Sequence, residues 1–243
     1  MSENTSGNSS FKEKIENFFY HYKWHTLVAL FLVFTIVICS FQMCTKASYD
    51  VHIMYAGGED IAKTASGGDI SEYQKLCTAL SKYIEDFDGD GAGTVNLLTL
   101  FIPSAEEIDR VENGEEGLEI NTTLVMENTN TFEHNILYSE YVVCFISRDL
   151  FDKWSDNGDV QIFAEIAPYT NGNEADYSFV GKYGISLGST DLYESKAGMK
   201  LLPEDTVICI RAMSEVSSRF NKAKNRENYR RSEALIRALL ADG

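Results

Sequence analysis

The chain has 243 residues, 44% of them hydrophobic and 24% charged, and 37 Asp and Glu against 21 Lys and Arg give it a net charge of −16. This is globular composition, and only three prolines and 17 glycines exclude a collagenous or low-complexity chain. The acidic excess excludes a general nucleic-acid binder, because phosphate binding needs clustered Lys and Arg.

Residues 1–10, MSENTSGNSS, are too poor in apolar groups to fold and read as a polar tail. From Trp24 to Met43 the chain runs WHTLVALFLVFTIVICSFQM with no formal charge if His25 is neutral. At about 1.5 Å per residue this stretch is roughly 30 Å long, the thickness of a hydrocarbon core. Tyr20, Tyr22 and Trp24 supply amphipathic aromatics for one interface. A cleaved signal peptide would show a small-x-small site, which Ser40-Phe41-Gln42-Met43 lacks, and a buried core helix would show a polar stripe. Lys12, Lys14 and Lys23 precede the span while only Lys46 closely follows it. The positive-inside bias therefore puts residues 1–23 in the cytoplasm and 48–243 outside, with 24–43 as an uncleaved signal-anchor in the cell membrane.

Strand and helix signals then alternate. Ser48–Gly58 is a β-rich run closed by two glycines, and Ile70–Glu85 has the 3/4 apolar spacing of an amphipathic helix, with Ser71 near its start. Thr94–Ile102 reads as a buried strand ended by Pro103, after which Ser104-Ala-Glu-Glu opens a short helix. Leu118–Leu137 is rich in Thr and Asn, but its place between two strands favours a crossover helix. Glu140–Ser147 is a buried strand followed by a helix from Arg148 to Trp154. Val160–Ile166 and Tyr183–Leu187 are short strand candidates, Val207–Arg211 a final strand, and Asn228–Leu240 a terminal helix. This alternation predicts a three-layer α/β domain with a mainly parallel sheet.

Between the helix at 70–85 and the strand at 94–102 lies Asp86-Phe-Asp-Gly-Asp-Gly91, the first half of an EF-hand-type calcium loop. Alternate carboxylates in a tight turn converge on one point, and calcium takes six to eight hard oxygen ligands. By loop position Asp86, Asp88 and Asp90 would give side-chain oxygens, Ala92 its carbonyl, and Thr94 a hydroxyl or water contact. Position twelve, where such loops carry a bidentate Glu, is Leu97, so a ligand must come from elsewhere. The expectation is a structural Ca2+ site; the plainer reading is a solvated Asp/Gly turn.

The net charge divides unevenly. Residues 1–46 carry +1, residues 47–210 carry −21, and residues 211–243 carry +4. The basic segment Arg219–Arg231 could approach an anionic lipid or polymer, or form a solvated helix face. Cys144 and Cys209 sit in strand-like runs and could pair if those strands are neighbours. Asn4-Thr-Ser, Asn8-Ser-Ser and Asn121-Thr-Thr fit the glycosylation sequon and read as chance matches. There is no G-x-S-x-G, Walker A loop, C-x-x-C or H-E-x-x-H. His21 and His25 belong to the approach to the membrane span, while His52 and His134 are isolated.

Four stretches together carry a resemblance: Tyr22-Lys-Trp-His-Thr26, Tyr49-Asp-Val-His-Ile-Met-Tyr55, the DFDGDG loop and LPEDTVICIR. They resemble small single-pass membrane proteins of Gram-positive, clostridia-type bacteria, a group of unassigned function. The exported part also resembles a reduced periplasmic-binding-protein-like α/β domain. That resemblance implies a ligand-binding role for the region where Glu140–Ser147 meets Arg148-Asp-Leu-Phe. The expected function is a non-catalytic, membrane-anchored binding or interaction domain, solute-binding-like or accessory to a transporter or envelope complex. The alternatives are an envelope-acting hydrolase or transferase using carboxylates, and a purely structural exported domain.

Overall fold

The computed structural model describes residues 6–44, 49–61, 70–114, 120–138, 140–156, 161–172, 174–195, 197–213 and 222–241. The chain divides into two compact units, Met1–Ser48 and Tyr49–Gly243.

The first unit is one helix, α1 (Ser6–Cys44), whose stretch Tyr22–Ser40 has a mean hydropathy of 1.8 and no buried residues. It is long and apolar enough to cross a membrane. Two hydroxyls within it are satisfied by the helix itself: Thr35 Oγ1 donates to the Phe31 carbonyl at 2.9 Å and Ser40 Oγ to that of Ile36 at 2.8 Å. A lipid-facing helix needs such internal bonds, because hydrocarbon offers its polar groups no other partner. Residues 6–10, expected to be an unfolded tail, are helical. Once a long helix is nucleated, each added residue gains a backbone bond. Residues 1–5 lie outside the described residues.

The second unit is built on six strands: β1 (Val51–Gly57), β2 (Val95–Phe101), β3 (Val143–Ile146), β4 (Phe179–Val180), β5 (Gly184–Ser186) and β6 (Val207–Ile210). Their order is β2-β1-β3-β6-β5-β4. The helices are α2 (Ile70–Ser81), α3 (Ala105–Glu112), α4 (Thr122–Tyr138), α5 (Arg148–Ser155), α6 (Asp191–Ser195) and α7 (Lys222–Ala241).

The sheet is mixed, which corrects the expectation of a mainly parallel one. β1 pairs in parallel with β2 and β3, but the β3–β6, β5–β6 and β4–β5 pairings are antiparallel. Parallel neighbours need a long crossover, and α2 and the α3–α4 segment provide two of them. Between β3 and β6 the helices are short, α5 having eight residues and α6 five. Val180 pairs with Gly184, so β4 and β5 form a hairpin, and β6 then enters between β3 and β5.

Side-chain alternation along the strands divides the core in two. Ile53, Tyr55, Val143, Phe145, Ile208 and Ile210 face one side, packed with Leu76 and Leu80 of α2 and with Leu235, Ile236, Leu239 and Leu240 of α7. Met54, Ala56, Cys144, Ile146, Val207 and Cys209 face the other, with Phe132 and Ile136 of α4 and Phe151 of α5. Helices thus cover both faces, giving the expected three layers.

Several boundaries differ from expectation. The helix expected to reach Glu85 stops at Ser81, and the terminal helix begins six residues earlier than expected, at Lys222. Within Val160–Ile166 the described residues 161–166 form no strand, only a single bridge between Phe163 and Arg211. The side chain of Ser71 lies outside the described residues. α4 forms despite its Thr and Asn content: Asn121 caps its start, and its hydroxyls find partners on the helix itself. Asn121 Oδ1 accepts from the amides of Thr123 and Leu124, both at 3.1 Å, and Thr129 and Thr131 donate to carbonyls four residues earlier.

Cys144 and Cys209 face each other across β3 and β6, and both are free thiols. The Arg211 amide donates to the Val142 carbonyl at 2.8 Å. By antiparallel alternation this makes Cys144–Cys209 a hydrogen-bonded pair, whose Cβ atoms stand about 5.5 Å apart. A disulfide needs about 3.8 Å. The Cys209 thiol instead donates to the Cys144 carbonyl at 3.6 Å.

Candidate functional site

The calcium-like loop joins α2 to β2. Residue by residue, its aspartates bend the chain by accepting backbone amides. Asp86 Oδ1 accepts from Gly89 N at 2.6 Å and Oδ2 from Gly91 N at 2.8 Å. Asp88 Oδ1 accepts from Asp90 N at 3.1 Å, and Asp90 Oδ1 from Ala92 N at 3.0 Å. Gly89 and Gly91 have φ of 80° and 96°, left-handed values that a side chain would strain. The amides of Gly91 and Gly89 hold the exposed Asp86 carboxyl below the usual carboxylate range, because they bond only its ionised form well.

A fourth acid joins the loop. Asp50, immediately before β1, is buried, and its carboxylate receives donors on both oxygens. Oδ1 accepts from Phe87 N at 3.0 Å and lies 3.8 Å from Arg231 Nη1; Oδ2 accepts from Thr94 N at 2.9 Å and Thr94 Oγ1 at 3.0 Å. One carboxylate oxygen each from Asp50, Asp86 and Asp88 come within 4.8 Å of one another. That group could hold a hard cation. Of the five expected ligands, the structure brings Asp86 and Asp88 together. Asp90 is outside the group, its Oδ1 taking the Ala92 amide, and the Thr94 hydroxyl donates to Asp50. Leu97, the twelfth loop position, is in β2, where its carbonyl accepts from the Tyr73 hydroxyl at 3.1 Å.

Asp50 escaped the sequence reading because it lies inside a run that reads as strand. The available signal was a charged residue directly before a mostly apolar strand run, where it must find partners to be buried. The basic segment contributes too. The Arg230 and Arg231 guanidinium groups lie 5.6 and 4.8 Å from the centre of the Phe87 ring. Glu227 binds both, at 2.8 Å to Arg230 Nη2 and 3.2 Å to Arg231 Nε, which holds its carboxyl down to about 2. Loop, strand start and α7 are therefore one bonded assembly.

Beside it, His52 connects the strand starts. Asn96 Nδ2 lies 3.1 Å from His52 Nδ1 and donates to the Tyr141 hydroxyl at 3.2 Å, while His52 Nε2 lies 3.7 Å from Glu140 Oε1. Glu140 also meets Lys224 Nζ of α7 at 3.4 Å. Burial pushes the His52 pKa below its usual value, opposed by Glu140 and reinforced by Lys224.

At the opposite end, α2 and α4 lie on opposite faces, so the chain changes face at β1. The carboxyl ends of β1 and β3 there are the place where open α/β sheets bind ligands. Tyr55 turns back into this place. Its buried hydroxyl accepts from Glu59 N at 3.4 Å, and a Cβ added to Gly57 would come within 2.7 Å of it and 3.4 Å of Ser147 Cβ. Burial raises the Tyr55 pKa; the Glu59 amide opposes this, and the carboxylates of Glu59, Asp205 and Glu107 add to it.

A mixed α/β domain following an apolar helix is the class these features define. Compared with known protein families, curated proteins and solved structures, the chain matches none.

Proposed function

We propose that the chain is a single-pass protein of the cell membrane, with a cytoplasmic N-terminus and an extracytoplasmic α/β domain that works by binding rather than catalysis. The partner in this reading is a protein of the envelope, such as a transporter subunit, with a small-molecule ligand of unknown identity as the alternative. The observation that carries it is the exposed apolar stretch Tyr22–Ser40 ahead of a body whose core closes without it. Lys12, Lys14 and Lys23 on the near side of the span support the orientation. The polar groups best suited to chemistry are engaged in holding the fold, Asp50 and His52 between separate segments and Asp86 and Tyr55 within their own stretch of chain, which favours a scaffold for recognition. Cross-linking in membranes followed by pull-down of the full chain tests this. A reproducible envelope partner is expected; no partner, together with no ligand shift in a melting screen, overturns it.

Within this reading the Asp86–Thr94 loop takes calcium as a structural ion, with an affinity of roughly 0.1–1 mM typical of extracellular modules. Convergence of Asp86 and Asp88 with Asp50, an acid from elsewhere in the chain, supports it. Calorimetry of the full chain in detergent should give calcium binding that Asp88→Ala abolishes. Equal heats for the two proteins would retire the ion and leave the loop as a turn held by its own amides.

A further inference from the structure

We draw no further inference here: the strongest candidate, the acidic group of Glu59, Glu107 and Asp205 around the Tyr55 hydroxyl at the carboxyl ends of β1–β3, is an acidic cluster in a place that the Tyr55 side chain itself enters, and nothing in the structure marks a ligand there.

Discussion

Asp50 and Asp88 are chemically the same residue with different work to do. Asp50 is buried and serves the amides of Phe87 and Thr94, the Thr94 hydroxyl and Arg231, so removing it strands several donors at once. Each stranded buried group costs about 1–3 kcal/mol. Asp50→Ala should therefore lower unfolding stability by roughly 3 kcal/mol, read as a drop in urea midpoint. Asp88→Ala, which frees only an exposed amide, should leave the calcium-free midpoint almost unchanged; equal losses would show that Asp50 is not the clasp. His52 gives the residue-scale pH dependence. Its folded pKa lies below its unfolded value of about 6.5, so the unfolded state binds the proton more readily. Its contribution is intact above that value and is lost as pH falls below it. The melting temperature should drop between pH 7.5 and 5.5, and His52→Gln should shrink that drop; an unchanged drop would assign the effect to other groups.

At the scale of elements, α7 shows how far packing outweighs polar bonds. Leu235, Ile236, Leu239 and Leu240 are buried against the sheet, each worth about 1.5–3 kcal/mol. Ser232 on the same helix is fully buried, and its hydroxyl has no hydrogen-bond partner among the described residues. Ser232→Ala removes an unmet polar group at almost constant volume and should raise stability by up to about 1 kcal/mol. Leu239→Ala should instead cost about 2–5 kcal/mol through the cavity it leaves. Thermal melts of both variants check the pair, and a destabilising Ser232→Ala would mean that its hydroxyl is bonded in solution. The apolar spacing of α7 made it legible in the sequence, as did the apolar runs of β1, β2, β3 and β6. α4 was harder, because its start rests on an Asn121 cap and its hydroxyls turn back onto its own carbonyls, which look like loop chemistry in a sequence. The loop showed a similar split. Its aspartates and glycines announce a turn, but Asp50, 36 residues before Asp86, becomes its neighbour only through the pairing of β1 with β2.

At the scale of the whole molecule, the direction of the sheet was the feature hidden from the sequence. Strand signals say where strands lie but not which way they run: the segments between β3 and β4 and between β5 and β6 carry helices, α5 and α6, as a crossover would, yet β6 pairs antiparallel with both β3 and β5. The separation of the apolar helix from the body was legible, because twenty uncharged residues cannot be placed in a domain this acidic without covering them. None of the stretch Tyr22–Ser40 is buried, while both halves of the body core are drawn from residues beyond Tyr49. The body should therefore fold without the helix. Residues 49–243, expressed alone, should stay in solution without detergent and unfold in one cooperative transition, at the same midpoint as the full chain held in detergent. A lower midpoint would mean that α1 shares in the stability of the body. Insolubility of this piece would mean that the body leaves apolar surface for another chain to cover. In that case the binding role would begin with the fold itself rather than with a site upon it.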